Sequence, residues 1–409
     1  MTNLSMPLRI LHVTPYSGEA WAYGGIPRLA RTLTRGLARR GHHVTVCTTD
    51  ACDESSRLPS SPSRAADGVD VRVFPNLSNR LAYRWQLFLP IGLETYLRRH
   101  AATFDVAHLH ACRNAPGAIA AYHLRRTGVP YVLAPNGTAP PIERRRLVKQ
   151  AFDVVAGRRI LRRAACVLAV SDAERVQLSD LGIDPAVIRL IPNPVDLDEF
   201  TSPVTRGNFR RRFALPACPE RSRGDEPAGR VVLFLGKLTP RKRLDVLVRA
   251  FARLERSDAW LVIAGNDMGA GAGARSLVRA LGLERRTIFT GLLRGHERLE
   301  ALADADVLVY PSQDEIFGLV PLEALLCGTP AIVADDSGCG EVMRAIGGGQ
   351  VVPLGDAGAL ARAIDRVLGA RPGWRAAAAD AGARVRAAYG GDVVCAQLER
   401  LYADVIASA

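Results

Sequence analysis

Lysine is almost missing from this 409-residue chain: Lys149, Lys237 and Lys242 stand against 51 arginines. Aromatic residues are sparse at 6%, and no RNA- or DNA-reading motif accompanies them, which weakens a nucleic-acid-binding reading. The eight cysteines (Cys47, Cys52, Cys112, Cys166, Cys218, Cys327, Cys339 and Cys395) form no C-x-x-C. That argues against a zinc site or a small-protein disulfide framework and suits a reducing compartment. No apolar run approaches the ~20 residues of a membrane-spanning helix. The start, Met1 to Val13, lacks the apolar core and cleavage site of a secretory signal and runs directly into a strand-like segment, so a cytoplasmic protein is expected. No G-x-G-x-x-G follows Leu8–Val13, which weakens a nicotinamide oxidoreductase. Neither a Ser-His-Asp or Cys-His nucleophile pattern nor a metal-ligand cluster is visible.

What is present is globular: 48% hydrophobic and 23% charged residues. The length exceeds one ordinary core, so two domains are expected. The net charge of +13 is unevenly spread. Residues 1–198 hold 26 basic and 16 acidic side chains, and residues 199–409 hold 28 and 25. The excess peaks in Glu143–Arg163, with eight basic residues and two acidic. Such runs are either solvated helix faces of an arginine-rich chain or a surface for an anionic partner.

Along the first half, short apolar runs alternate with amphipathic stretches. Leu8–Val13, Val44–Thr48, Val69–Phe74, Val106–Leu109, Tyr131–Ala134, Val167–Val170 and Ile188–Ile191 read as strands. Ile26, Leu29, Ala30, Leu33 and Leu37 have helical spacing, and Gly41 ends that helix. Strand–helix alternation implies a parallel sheet covered on both faces. Six prolines then punctuate Pro192–Gly229, which reads as a linker with an exposed loop. A second series follows: Val231–Leu235, Leu261–Ala264, Ile288–Thr290, Val307–Tyr310 and Ala331–Ala334, ending in the helical tails Ala357–Leu368, Trp374–Tyr389 and Asp392–Ile406. The expected architecture is two doubly wound α/β domains facing across a cleft, with ligands at the carboxyl ends of their strands.

Two constellations carry chemistry. Gly236-Lys237-Leu238-Thr239-Pro240-Arg241-Lys242-Arg243 links a strand to a helix and gathers two of the three lysines. Cations at a helix start oppose its macrodipole by ~0.3–1 kcal/mol each, so four together call for an anion; a compact ammonium suits a phosphate as a point charge. In Pro311–Ala324, Glu315 stands just before a helix opening at Gly318, and Glu323 lies about a turn and a half inside it. Free N–H groups at Gly318, Leu319 and Val320 make an anion site there. Each glutamate also has a plain reading: a helix N-terminal carboxylate for Glu315, an ordinary surface residue for Glu323.

Pro311–Pro330 resembles the Glu-x7-Glu signature of retaining GT-B glycosyltransferases, glycosyltransferase family 4. Tyr23-Gly24-Gly25-Ile26-Pro27-Arg28 is similar to the family's glycine loop, and Asp105-Val106-Ala107-His108-Leu109-His110 to its D-V-x-H-x-H strand. Val170–Glu174 and Ile191–Asp196 are similar to V-S-x-x-E and I-P-N-G-V-D. The likeness runs from about residue 8 to 355 and implies a GT-B fold. It divides the chain into an acceptor-binding domain (1–197), a nucleotide-sugar domain (198–388) and a C-terminal helix (389–409) packing back on the first. It implies that Lys237 and Lys242 hold the donor diphosphate, with Gly24, Gly25, Gly318, Leu319 and Val320 giving backbone approach. Glu315 and His110 are then catalytic, Glu323 binds the ribose, and no cofactor or metal is needed beyond the nucleotide diphosphate sugar donor. A lone histidine at a strand end is otherwise more often structural. Departures are Lys237 where arginine is commoner, Pro194 for glycine, Ile316 for a small residue and Asn136 for histidine.

The resemblance implies transfer of a hexose-type sugar from a UDP- or GDP-sugar with retention, by front-face departure, to a saccharide acceptor in cell-surface polysaccharide synthesis. Arg80, Arg84, Trp85, Phe88, Leu89, Arg98 and Arg99, with a second patch at Arg144–Arg146 and Arg158–Arg163, suggest docking on anionic lipid and a lipid-linked acceptor. The alternatives are a soluble acceptor, an inverting GT-B enzyme or epimerase, or a nucleic-acid-binding protein.

Overall fold

The computed structural model describes residues 6–58, 63–64, 67–140, 152–202, 204–217 and 229–409. Glu143 to Lys149 of the basic stretch, Pro203, Cys218, Pro219 and Pro227 lie outside them. Internal contacts divide the chain into two units, Met1–Pro194 with Gly391–Ala409, and Val195–Gly390.

In the first unit the strands are β1 (Arg9–Val13), β2 (His43–Thr49), β3 (Ser63–Arg64), β4 (Asp70–Phe74), β5 (Val106–His110), β6 (Tyr131–Ala134), β7 (Cys166–Ala169) and β8 (Ile188–Leu190). They lie in the order β3-β4-β2-β1-β5-β6-β7-β8, all pairs parallel except β3 with β4. The helices are α1 (Gly25–Arg39), α2 (Asn79–Trp85), α3 (Leu93–His100), α4 (Ala115–Thr127), α5 (Arg158–Arg162) and α6 (Asp172–Asp180). Alternation along each strand sends Leu11, Val13, Leu109 and Leu133 to a core shared with Leu97, Ala120 and Leu124 of α3 and α4. It sends Ile10, Val44, Val106 and Val132 to the other face, under Leu29, Leu33 and Leu37 of α1. Val394, Leu398 and Tyr402 complete that second core. They belong to the chain's last helix, Gly391–Ala407. Each fully buried large apolar side chain there contributes about 1.5–3 kcal/mol, so residues before Pro194 alone would leave this face uncovered.

In the second unit, α7 (Asn208–Arg212) precedes β9 (Arg230–Leu235), α8 (Leu244–Ala252), β10 (Ala259–Ala264), α9 (Gly271–Ala280), β11 (Thr287–Gly291) and α10 (Gly295–Asp304). There follow β12 (Val307–Tyr310), α11 (Leu319–Leu326), β13 (Ala331–Asp335), α12 (Gly338–Ile346), β14 (Gly349–Pro353), α13 (Ala357–Gly369) and α14 (Arg371–Tyr389); Gly391–Ala407 is α15. The sheet runs β11-β10-β9-β12-β13-β14, wholly parallel. Strand order reverses between β9 and β12, the place where such sheets open a crevice at their carboxyl ends.

Two features depart from the sequence reading. Strand β14 follows Gly347 and Gly348 and is not among the strands expected from sequence. A Cβ on Gly349 would collide with the carbonyl oxygen of Ala331 in β13, so the glycine lets an edge strand close on β13. The stretch read as linker and exposed loop holds a docked helix. Phe209 of α7 is fully buried. Asp304 Oδ2 accepts the N–H groups of Phe209 (3.0 Å) and Arg210 (3.2 Å), and Arg210 Nη2 donates to Asp306 Oδ2 at 2.9 Å. Charge-assisted bonds, not apolar periodicity, fasten this helix, which is why a hydrophobic pattern did not reveal it.

Candidate active site

The second unit gathers its charge at the reversal between β9 and β12. After β9, a 3-10 turn at Pro240–Lys242 places Lys242 beneath Tyr310, the last residue of β12. Lys242 Nζ donates to Tyr310 Oη and to Glu315 Oε2, and lies 4.3 Å from the Tyr310 ring centroid. Tyr310 Oη is 3.4 Å from the same carboxylate oxygen. Burial works against the charge of Lys242, but Glu315 and Tyr310 overrule it and hold the ammonium above the ordinary lysine range. Burial likewise disfavours the charge of Glu315; Lys242, then Arg241 and Lys237, overrule it and hold its pKa below the usual value. Half-buried Lys237 therefore acts on the same carboxylate.

The Glu315 loop is fixed from both sides. Ser337 Oγ and Cys339 N donate to Glu315 O, each at 2.8 Å, and Asp314 N donates to Asp336 Oδ2 at 2.6 Å. Arg241 donates to the carbonyls of Gln313 and Asp314. Gly318 caps α11 at φ 79°, and a Cβ there would meet Cys339 Sγ at 2.5 Å; both the backbone and the space require glycine. No side chain caps α11, and Pro321 supplies no N–H, so Leu319 and Val320 present the helix-start donors. Ile316 is buried.

Glu323 lies deeper, 1% exposed. Its carboxylate pairs with Arg298 Nη1, and Arg298 Nη2 pairs with Glu199. One buried guanidinium of α10 thus ties α11 to the segment just after Pro194. Within this unit the structure brings Lys242, Lys237 and Glu315 together and sets Glu323 in a separate ion-pair network.

In the first unit the equivalent strand reversal lies between β1 and β5. Gly24 caps α1 at φ 92°, with no side-chain cap, and Gly25 opens the helix. His110, the last residue of β5, is fully buried. Its Nε2 lies 2.9 Å from His12 Nδ1, and its ring stacks on His108 with centroids 4.4 Å apart. His108 Nδ1 meets Tyr402 Oη at 2.7 Å. Burial lowers the His110 pKa to about 3 and drives His12 and His108 well down, their mutual repulsion adding to this. The cluster is neutral at any ordinary pH. Among the described residues no three His, Cys, Asp or Glu side chains form a metal-holding group. Glu174 of the V-S-x-x-E motif is a tie, accepting from Gly137 N at 2.6 Å and Val170 N at 3.0 Å.

Sequence reasoning missed Tyr310, Arg298 and His12, and counted Arg241 among the cations without foreseeing its hold on the Glu315 loop. Tyr310 carried a faint signal, as a phenol ending the strand that feeds Pro311–Ala324. Arg298 carried none among so many arginines.

Comparison with known proteins places the chain in a family. The Glycosyltransferase Family 4 model matches residues 23–199, and the model for glycosyl transferases group 1 matches residues 220–384. The chain is 31% identical over 342 residues to a D-inositol 3-phosphate glycosyltransferase of Kineococcus radiotolerans, covering 78% of this chain and 74% of that one. It is 32% identical over 387 residues to its namesake in Acidothermus cellulolyticus, covering 88% and 81%. Among solved structures, sucrose-phosphate synthase of Thermosynechococcus elongatus superposes with a TM-score of 0.75 at 24% identity, covering 98% of this chain and 99% of that one. Anabaena HepE, solved with UDP and glucose, does so with 0.75 at 20%, covering 97% and 100%. These likenesses show the GT-B fold. With a glycine loop opening one unit and a Glu-x7-Glu segment at the strand reversal of the other, the chain belongs to the group 1 glycosyltransferases of family 4.

Proposed function

We propose that this glycosyltransferase moves a hexose-type sugar from a UDP- or GDP-sugar to a saccharide acceptor, with retention of configuration and without a metal. The observation that carries this reading is Lys242 held on Glu315 and Tyr310 at the β9/β12 reversal, beside Lys237 and the open start of α11. A donor diphosphate takes Lys242 and Lys237 as its cations and the N–H groups of Gly318, Leu319 and Val320 as its cradle. That set supplies the electrostatic stabilisation of a departing diphosphate that a metal gives elsewhere. Glu315, released from Lys242, stands by the sugar; Glu323 accepts from the ribose hydroxyls. Gly24 and Gly25 let backbone reach the donor phosphates, and neutral His110 hydrogen-bonds the sugar.

In this reading the anomeric C–O bond to the diphosphate breaks as the acceptor oxygen bonds the same face. The acceptor proton passes to the departing phosphate oxygen. The protein works at the cytoplasmic side of a membrane, on a lipid-linked saccharide in surface polysaccharide synthesis. The relatives named D-inositol 3-phosphate glycosyltransferase favour a second reading, a soluble phosphorylated inositol acceptor.

Thermal shift against UDP, GDP and their sugars tests the donor site; a ligand at a hundred times its Kd adds about 2.7 kcal/mol. Lys242→Ala is expected to abolish the shift, and an undiminished shift overturns the site. NMR of the product then reads its anomeric configuration, and inversion, or a glycosyl adduct trapped on Glu315, overturns the mechanism.

A further inference from the structure

Residues 77–91 form an excursion with two apolar faces. Its base is pinned: Leu77 N donates to Leu89 O at 3.0 Å, Ile91 N to Pro75 O at 2.8 Å, and Leu89 N to Asn76 Oδ1 at 2.7 Å. Its inner face is an aromatic layer. Phe88 and Ala82 are buried against Tyr16 and Tyr23, with Phe88 centroids 5.0 and 5.4 Å from those two rings. Phe88, which the sequence suggested as a docking residue, is therefore an anchor; burial on this side removes it from any partner.

The outer face is the anomaly. Leu81 and Trp85 stand one turn apart on α2, and Leu77 lies just before its N-cap, Ser78. Leu77 is 60% exposed, Trp85 54% and Ile91 57%; Leu81 and Leu87 join them. A solvated helix puts polar residues there. Five of the twelve large exposed apolar side chains among the described residues fall in these 15 positions, and contiguous apolar surface of this kind marks an interaction site. Charge identifies the partner. Between residues 77 and 100 stand the exposed Arg80, Arg84, Arg98 and Arg99 with one acid, Glu94; Arg84 is paired with Glu54 at 2.7 Å, so Arg80, Arg98 and Arg99 carry the excess. Self-pairing would set arginines against arginines. An anionic bilayer supplies the opposite charge and takes up the leucines, with Trp85 suited to the headgroup boundary.

We propose that this outer face is a docking site for an anionic lipid surface. The face stands independently of the reading of the active site. Its consequence for that site is geometric: Tyr23, which packs on Phe88 and Tyr83, directly precedes Gly24 and Gly25. One aromatic layer then separates the bilayer from the glycine loop, so an acceptor held in the membrane is delivered beside it.

Flotation of the full chain with phosphatidylcholine vesicles, with and without phosphatidylglycerol, tests the proposal. Binding is expected only with phosphatidylglycerol. Brominated lipid should quench Trp85, read against a Trp85→Phe blank. The triple variant Leu77→Ser, Leu81→Ser, Trp85→Ser should lose binding about tenfold or more at unchanged melting temperature, and Arg80→Glu should weaken it about fivefold or more. Equal binding to both vesicles, binding untouched by the triple variant, or a solution dimer that the triple variant dissolves would each overturn it. Donor-induced thermal shift in the triple variant is expected to persist, which separates failure of this face from failure of the donor site.

Discussion

The same place in the two sheets, the carboxyl edge where strand order reverses, is furnished in opposite ways. In Val195–Gly390 it carries a lysine, a glutamate and a phenol in mutual contact, with Arg241 and Lys237 near by. In the N-terminal unit it carries three stacked, buried, neutral imidazoles and a glycine-capped helix. Burial disfavours charge in both. Only the first supplies partners strong enough to keep its groups ionised, whereas the histidines lie among leucines and one another and give up their protons. In the proposed reading, a site for a diphosphate needs standing charge, and one that offers hydrogen bonds to a sugar is better served by neutral groups, which do not compete for the cations.

The sharpest way to break this contrast is through the buried ions of the second unit. Arg298→Ala would strand Glu323 and Glu199, and the loss of one partner of a buried pair costs about 3–5 kcal/mol. Urea unfolding should show that loss, with Arg298→Lys recovering part of it. Next is Lys242→Ala, for which a fall of about 10²–10³ in kcat is expected on removing a cation from the departing charge. If His110→Ala cost more in the same turnover assay, charge would not be where catalysis is concentrated. The third effect reverses sign between the units. Burial raises Glu174 to about 7 from an ordinary 4.5, although Gly137 and Val170 donate to it. A raised acid stabilises the folded chain below its unfolded pKa and loses that stability as pH rises through the folded one. Between about pH 4.5 and 7 this group should remove up to about 3 kcal/mol, and Glu174→Gln should flatten the slope in unfolding measured across that range. Glu315, held low, acts oppositely: its contribution is present above the ordinary carboxylate pKa and disappears on acidification. The smallest change is His12→Phe, which removes one hydrogen bond from His110 and should cost about 0.5–1.5 kcal/mol. Unaltered stability and turnover would show that His110 needs no partner.

Much of the fold could be read locally. Tyr131–Ala134 and Val307–Tyr310 were bounded correctly because each is a short apolar run between turn residues. Strand β14 and helix α7 were not, one hidden by glycine and the other held by Asp304 and Asp306 rather than by its own apolar face. Of the site, Lys242 and Glu315 stood out as residue types at a strand–helix junction. Their contact with each other and with Tyr310 did not, because it joins positions 73 and 68 residues apart.

The chain by itself determined the alternation of strand and helix, the glycine positions that turns demand, and the placing of scarce lysines after β9. Tertiary structure decided the partners. His12 meets His110 across 98 residues, Arg298 meets Glu199 across 99, and Tyr402 reaches His108 across 294. Periodicity and turn chemistry act within a few residues and so leave a local record. Ion pairing and burial depend on which strands lie side by side, which is set only when the whole sheet has formed.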